Sequence, residues 1–248
     1  MIKRFYVHNF RCLENFELQI AGRSSSLLIG RNGAGKSTVG DALGLLQRIA
    51  RGTNRVRDIA SLKDMTRGRS DVPLRFELEA VLQDALYHYQ LALELPQGFR
   101  ELRVAEERLT RDGVDVFTRE TAQVTLSQSV DRESRFVVDW HLVALPLIQV
   151  QSETDPLQIF KEWLARMFIL APIPSLIRGD SVGDTLLPNK DCSNFGEWFT
   201  GILAHSPAAY THIDKYIRTV MPDFKDIKNP VLGKDSRCLS VQFQQDNA

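Results

Sequence analysis

One short stretch of this sequence constrains the fold more than any other. Gly30-Arg31-Asn32-Gly33-Ala34-Gly35-Lys36-Ser37 fits the pattern G-x-x-x-x-G-K-[ST]. The apolar run Leu27 to Ile29 precedes it and predicts a short buried strand. Apolar side chains then recur at three- and four-residue steps over 36–49, which predicts a helix. A glycine-rich loop between a strand and a helix indicates an α/β fold.

The residue types in this loop point to phosphate binding. Glycines let consecutive backbone N–H groups turn inward around phosphate oxygens, and the start of the following helix adds a favourable field. Lys36 would reach the β- and γ-phosphates, and the Ser37 hydroxyl would be a ligand of Mg²⁺. We therefore predict that ATP and Mg²⁺ bind to Gly30, Arg31, Asn32, Gly33, Ala34, Gly35, Lys36, Ser37 and Thr38.

Hydrolysis requires a second acidic element, usually a strand that ends in Asp followed by Glu. The apolar run 136–139 ends in Asp139, but Trp140 follows it. Asp139 could be the metal-side carboxylate or a capping residue, and the second interpretation is favoured. The pair Glu106-Glu107 is interpreted as the solvated face of a strand, and His88 as a strand surface residue. The sequence therefore assigns no catalytic residue.

A basic segment, residues 48–69, stands out in a chain of zero formal net charge. It holds seven basic and two acidic residues, a local charge of +5. The zero total excludes a wholly basic nucleic-acid binder. Two interpretations of the segment stay open. A solvated surface is favoured; the alternative is contact with nucleic-acid phosphate or an acidic partner, with Arg55, Arg57, Arg67 and Arg69 as the candidate contacts to double-stranded DNA.

The remaining patterns predict how the chain is organised. Alternation over 74–129 indicates an antiparallel meander, with Asp112-Gly113 as a hairpin turn. Helical periodicity starts at about 155, where Asp155 can cap a helix that has Pro156 at its first position, and returns over 194–205 and 207–221. Residues 239–243 alternate like a strand. We expect a nucleotide-binding lobe over 1–150, a helical lobe over 151–232, and a strand within 233–248 that returns to the first lobe.

Cysteine usage and hydropathy limit the cellular setting. Cys12, Cys192 and Cys238 are widely spaced and form no C-x-x-C pair, which argues against a zinc ribbon or a disulfide framework. The sequence has no signal-peptide pattern and no apolar run of transmembrane length. These features predict a cytoplasmic protein without a membrane partner.

The N-terminal region also resembles a known family. The run from Ile2 to Arg11, then Phe16-Glu17-Leu18, then Leu28 to Thr38, is similar to the start of ABC-type ATPase heads of the OLD, RecF and SMC group, including AAA_21/AAA_15-like predicted ATPases. In that group a strand, an N-F-R corner and a second strand precede the loop. The resemblance implies a two-lobed α/β P-loop NTPase of ABC-head type that dimerises around ATP, with Arg11 as a phosphate or nucleotide contact. It also implies roles in DNA repair or anti-phage defence.

Heads of that group continue into a signature segment, an Asp-Glu strand and a switch histidine, which are not found before Ala248. The chain is therefore expected to be the N-terminal part of a head, incomplete at its C-terminus. It is expected to associate with itself, a missing C-terminal half or a partner subunit, and to hydrolyse ATP weakly or not at all alone. The main alternative is a DNA- or protein-interaction module with a vestigial nucleotide site. A small-molecule or nucleoside kinase is a third option, which the antiparallel meander disfavours.

Overall fold

The computed structural model describes residues 1–23, 25–129, 132–149 and 152–244. Contacts divide the chain into two compact units, Met1–Met167 and Phe168–Ala248. Within the described ranges, no helix combines the length and apolar character needed to cross a bilayer.

The first unit is built on one antiparallel sheet of eight strands, in the order β2-β1-β3-β4-β5-β6-β7-β8. The meander predicted from alternation is confirmed, and Asp112 and Gly113 form a tight turn with positive φ at both residues, between β5 and β6. The strands are β1 (Ile2–His8), β2 (Phe16–Gln19), β3 (Leu74–Leu82), β4 (Ala85–Glu94), β5 (Arg103–Arg111), β6 (Val114–Glu120), β7 (Gln123–Ser129) and β8 (Arg132–Val137).

Helices α1 (Lys36–Ala50) and α3 (Pro156–Ala165) contribute to the apolar core on the inner face of this sheet. Between them in sequence lie the short helix α2 (Val56–Ile59) and two 3-10 turns, Leu62–Asp64 and Thr66–Gly68. The predicted start of α3 is confirmed, because Asp155 accepts a hydrogen bond from Leu157 N at 2.8 Å and Pro156 follows it.

Glu107 is fully buried on the inner face, so its assignment to a solvated face is wrong. The cause is an irregularity in the pairing of β4 with β5. Ala92 pairs with Glu106 and Leu93 with Val104, which leaves Ala105 as an extra residue on β5. Such a bulge shifts the inside-outside alternation by one position. Glu107 therefore points inward although strict alternation from Val104 would point it outward.

The Glu107 carboxylate is satisfied by buried donors. Tyr89 OH donates to Oε1 at 2.9 Å, while the backbone N–H groups of Ala144 and Leu145 donate at 2.7 and 2.9 Å. The equally buried Arg119 has its Nη1 3.8 Å from Glu107 Oε2. Burial raises the pKa of Glu107 and lowers the pKa of Arg119.

Arg119 also ties down the connection that follows β8, residues 138–148, here named the clamp loop. Its guanidinium donates to the carbonyl oxygens of Thr121 at 2.7 Å, of Asp139 at 2.9 Å and of Leu142. The clamp loop in turn bonds to the segment after α1, where Val143 N donates to Asn54 O at 2.7 Å. The buried charges thus connect the sheet, through the clamp loop, to the chain that leaves α1.

The outer face of the sheet is polar, and on it the carboxylate of Glu77 has a strongly lowered pKa. Arg4 Nη1 donates to Glu77 Oε2 at 2.7 Å, and His88 Nε2 lies 3.7 Å from the same oxygen. Interactions with His88 and then with Arg4 hold the pKa of Glu77 at about 2, against the opposing effect of burial.

We expect Glu77 to make the first unit sensitive to acid. Because its folded pKa of about 2 lies below the ordinary 4.5, its stabilising contribution is present above pH 4.5 and is lost as the pH falls towards 2. After solvent screening the loss should be about 1 to 2 kcal/mol. Urea unfolding at pH 6, 4 and 2.5 measures it. Glu77→Gln should flatten this dependence, and an unchanged slope in that variant would contradict the assignment.

The second unit contains helices α4 (Phe195–His205) and α5 (Ala209–Val220) with short strands. Strand β13 (Ser240–Phe243) confirms the strand predicted at 239–243 and pairs antiparallel with β10 (Phe224–Lys228), within the same unit. It was expected to return to the first lobe. A small three-stranded sheet joins β9 (Asp180–Ser181), β11 (Val231–Leu232) and β12 (Ser236–Cys238). Conversely α3, which we expected in the helical lobe, lies in the first unit.

Candidate functional site

The glycine-rich loop leads directly into α1 and adopts a curled backbone. Ala34 N donates to Arg31 O at 3.2 Å, which closes a tight turn. Gly33 and Gly35 have φ angles of +80° and +93°, in the left-handed region that glycine adopts without steric cost. The prediction that glycines shape this loop therefore has a definite basis at these two positions.

Lys36 bends back over the loop. Its Nζ donates to the carbonyl oxygens of Gly30 and Arg31, each at 2.7 Å. The ammonium is therefore held inside the curve of the loop, next to the backbone that would surround a phosphate. Ser37, the next residue, is exposed and its hydroxyl is accessible at the start of the helix.

The N-terminus of α1 is well suited to an anion. Gly35 is the N-cap and supplies no side-chain hydrogen bond, and the first turn has no acidic residue. The first helical N–H groups have no acceptor within the helix, a general property of helix starts, and they attract phosphate oxygens. A cavity of about 230 Å³ lies here, a size that suits a phosphate chain rather than a whole nucleotide, and it is lined by Asn32, Gly33, Gly35, Lys36, Ser37 and Thr38.

The buried strand expected before the loop is absent. Leu27 and Ile29 are 85% and 82% exposed, and residues 25–30 form no strand. A buried parallel strand needs neighbours on both sides and cover on both faces. In the described part of the chain, no strand pairs with this run, so its apolar side chains remain in solvent.

Residues 9–15, here named the corner segment, form the wall behind the loop. A Cβ atom added to Gly35 would lie 2.9 Å from Leu13 Cδ2 and 3.0 Å from Cys12 Sγ. Cys12 Sγ also lies 3.5 Å from Thr38 Oγ1. The absence of a side chain at Gly35 therefore permits the corner segment to contact the loop closely.

Asn9 anchors the corner segment to the end of the basic segment. Its Nδ2 donates to Arg69 O at 2.9 Å and to Val72 O at 2.8 Å, while its Oδ1 accepts from Thr66 N at 3.1 Å. Asn9 is buried with φ +56°, a left-handed conformation that Asn tolerates better than most residues. The sequence indicates a corner at Asn9 but not this anchoring, because the bonded carbonyls lie 60 and 63 positions away in the chain.

Arg11 is engaged by carboxylates on both sides. Its Nη1 lies 2.6 Å from Asp41 Oδ2, and its Nε lies 3.1 Å from Asp64 Oδ1. Partial burial lowers the pKa of Arg11, but the hydrogen bonds with Asp64 and Asp41 outweigh this effect and raise it overall. The guanidinium that was expected to contact phosphate is thus an ion-pair partner of two protein groups.

Two arginines of the basic segment, although exposed, donate hydrogen bonds to backbone carbonyl oxygens. Arg48 donates to Asp58 O at 3.2 Å and Ile59 O at 3.3 Å, and Arg51 donates to Ala165 O at 2.8 Å. The four candidate DNA contacts are all exposed. Among them, Arg57 lies 3.8 Å from Asp58, and Arg69 lies 3.4 Å from Asp71 and 3.9 Å from Glu14.

Asp139 has the geometry of a turn residue. Its Oδ1 accepts a hydrogen bond from His141 N at 2.7 Å, directly after the antiparallel strand β8. In the residues that the structure describes, no cluster of three or more His, Cys, Asp or Glu side chains could hold a metal.

Comparison with known proteins agrees with the chemistry of the loop. Residues 1–108 match the family model described as AAA ATPase domain (AAA_15), a range that contains the corner segment, the loop, α1 and the basic segment. No curated protein matches the chain. The matched range and the mostly antiparallel sheet fit an α/β NTPase-like fold. The match supports an AAA-type ATPase family, with nucleotide-binding ATPase function, for the part of the chain that carries the loop.

Proposed function

We propose that residues 30–38 bind Mg-ATP and that this chain is the nucleotide-binding part of an ATPase head of the OLD/RecF/SMC type. The main support for this proposal is that a curled loop, a lysine held inside its curve and a helix start without a side-chain cap all lie at one cavity. Each of these features alone is common, but together they form the donor set that a triphosphate requires.

The residues of the loop would divide the work of binding. Gly33 and Gly35 keep the backbone curled so that N–H groups converge on the phosphates. Lys36 would exchange its two carbonyl partners for phosphate oxygens, a charge-assisted interaction that is stronger than the neutral one it replaces. Ser37 would hold the magnesium ion, which neutralises charge on the β- and γ-phosphates.

We further propose that Mg-ATP binding drives closure of a dimer, formed with a second copy or with a partner that supplies the acidic strand. Two observations support this. Among the described residues there is no metal-holding acidic cluster, and no strand pairs with the exposed run Leu27 to Ile29 beside the loop. Roles in DNA repair or anti-phage defence belong to the same proposal and derive from the resemblance of the N-terminal region.

Lys36→Ala tests the proposal directly. We expect wild-type protein to bind Mg-ATP and the variant to lose at least tenfold in affinity, because the charge-assisted contact to the phosphates is removed. Equilibrium binding by calorimetry or fluorescent nucleotide titration measures the change. Lys225→Ala, which removes an exposed lysine of the second unit, is the matched control and should bind as wild type. Equal affinity of Lys36→Ala and wild type would refute the assignment of the loop.

A DNA-interaction module is the second candidate function, and the exposed arginines of the basic segment favour it. We expect that substituting Glu for Arg55, Arg57, Arg67 and Arg69 weakens binding to duplex DNA. The slope of log binding constant against log salt concentration should become shallower by about 3 to 4, since each lost phosphate contact removes about 0.9. Fluorescence anisotropy between 50 and 200 mM salt measures both. Reversal of Lys215, Lys225, Lys228 and Lys234, exposed residues of the second unit, controls for total charge. An equal loss in both variants would assign the effect to net charge alone.

A further inference from the structure

The ion pairs of Arg11 with Asp41 and Asp64 join three separate elements of the first unit. Arg11 belongs to the corner segment, Asp41 to α1, and Asp64 to the 3-10 turn Leu62–Asp64. Asp64 is itself fixed, because its Oδ2 accepts hydrogen bonds from Ser61 N at 3.0 Å and Ser61 Oγ at 3.1 Å. The backbone adds a further bond, from Arg11 N to Asp64 O at 2.6 Å.

The same corner segment contacts the phosphate-binding loop from behind. Cys12 and Leu13, the two residues after Arg11, are the nearest neighbours of a Cβ atom added to Gly35, and Cys12 Sγ is 3.5 Å from Thr38 Oγ1. Asp41 lies on the same helix, one turn beyond Thr38. Any movement of Arg11 away from its carboxylates would therefore shift the wall against which Gly35 and the first turn of α1 are packed.

We propose that Arg11 is a positioning residue for the nucleotide site, acting through Asp41 and Asp64 to hold the corner segment against Gly35, and is not a phosphate ligand. The inference rests on the proposed function, because the site it positions is the Mg-ATP site. Moving the guanidinium to a phosphate would break two ion pairs, including one at 2.6 Å. It would also remove the restraint on the wall behind the loop.

Neutralising one of the carboxylates that bind Arg11 distinguishes a positioning residue from a phosphate ligand, because the two roles predict opposite changes in Mg-ATP affinity. If Arg11 positions the loop, Asp64→Asn and Asp41→Asn should each weaken Mg-ATP binding by about three- to tenfold. If Arg11 is a phosphate ligand, the same variants free its charge, and affinity should stay equal or increase. Asp58→Asn removes the same charge from an exposed residue of the basic segment and corrects for long-range electrostatics.

A double-mutant cycle adds a second criterion. For a positioning role, Arg11→Ala combined with Asp64→Asn should bind Mg-ATP no more than twofold more weakly than Arg11→Ala alone, because both changes break the same ion pair. Additive losses would overturn the inference, as would an unchanged affinity in both aspartate variants. Thermal unfolding should differ little among these proteins, because partly exposed ion pairs contribute little to global stability.

Cys12 provides a readout that needs no nucleotide. Its thiol is exposed beside the loop, so a loosened corner segment should change its rate of alkylation by iodoacetamide, which peptide mass spectrometry resolves. We expect a severalfold faster rate in Asp64→Asn and Asp41→Asn than in Asp58→Asn, with thermal unfolding as the control for folding of the first unit and the buried Cys192 as that for the second. If wild type binds no Mg-ATP, the proposed function fails, and the Cys12 rates alone decide the positioning role. Equal rates in all variants would overturn it.

Discussion

Replacing Arg119 by Met is expected to lower the free energy of unfolding of the first unit by about 3 to 5 kcal/mol. The side chain is fully buried and donates to three carbonyl oxygens, those of Thr121, Asp139 and Leu142. Its removal takes one donor from each of these acceptors, of which Asp139 O keeps the bond from Leu142 N, and leaves the Glu107 carboxylate without a nearby positive charge. Urea or thermal unfolding followed by circular dichroism measures the change.

Two further variants separate this loss from a general effect of removing arginine. Arg57→Met, at an exposed position whose acidic neighbour is 3.8 Å away, should change stability by no more than about 0.5 kcal/mol. Arg119→Met combined with Glu107→Gln should recover part of the loss, since it removes the buried negative charge and keeps an amide oxygen that can still accept from the buried donors. If the single variant Arg119→Met were as stable as wild type, the structural role of the buried Arg119–Glu107 pair would be contradicted.

Replacing Gly35 by Ala is expected to lower Mg-ATP affinity at least tenfold and to destabilise the first unit by roughly 1 to 3 kcal/mol. Its φ angle of +93° is strained for any residue with a Cβ atom. The new methyl group would lie 2.9 Å from Leu13 Cδ2 and 3.0 Å from Cys12 Sγ, so the corner segment or the loop must move. Nucleotide titration and denaturant unfolding measure the two effects.

Neighbouring glycines provide the matched controls. Gly33→Ala has a positive φ of +80° but open space around the new Cβ, so its cost in stability should be smaller than that of Gly35→Ala. Gly40 lies inside α1 with open space around it, and Gly40→Ala should raise stability by up to about 1 kcal/mol without changing affinity. Equal behaviour of Gly35→Ala and Gly40→Ala would show that the close contact with the corner segment is unimportant.

Features that depend on short-range sequence were predicted well. The apolar spacing in α1, the Asp155-Pro156 start of α3 and the Asp112-Gly113 turn act within a few residues, and the structure has all three. The alternation of β3 through β7 also predicted the meander, because neighbouring antiparallel strands need only short connections. In these cases the residues that determine the conformation are adjacent in the chain.

Features that depend on partners distant in the chain were not predicted from the sequence. Arg11 meets Asp41 and Asp64, which are 30 and 53 positions away, and no local pattern indicates that pairing. Arg48 and Arg51 carry the same charge as the other arginines of the segment and are exposed like them, yet they donate to backbone carbonyls brought close by folding. The basic segment could therefore be recognised by its composition, while the arginines that bond to backbone carbonyls could not be told from the others.

Local sequence specifies the curled loop, the helix after it and the antiparallel strands, because backbone freedom at glycine and periodic side-chain burial are local properties. The face that each residue occupies depends instead on tertiary packing. A bulge at Ala105 turned Glu107 into the core, and the absence of a paired strand beside Leu27 and Ile29 left an apolar run in solvent. Burial depends on the neighbours that folding supplies, and a one-residue shift in register reverses it.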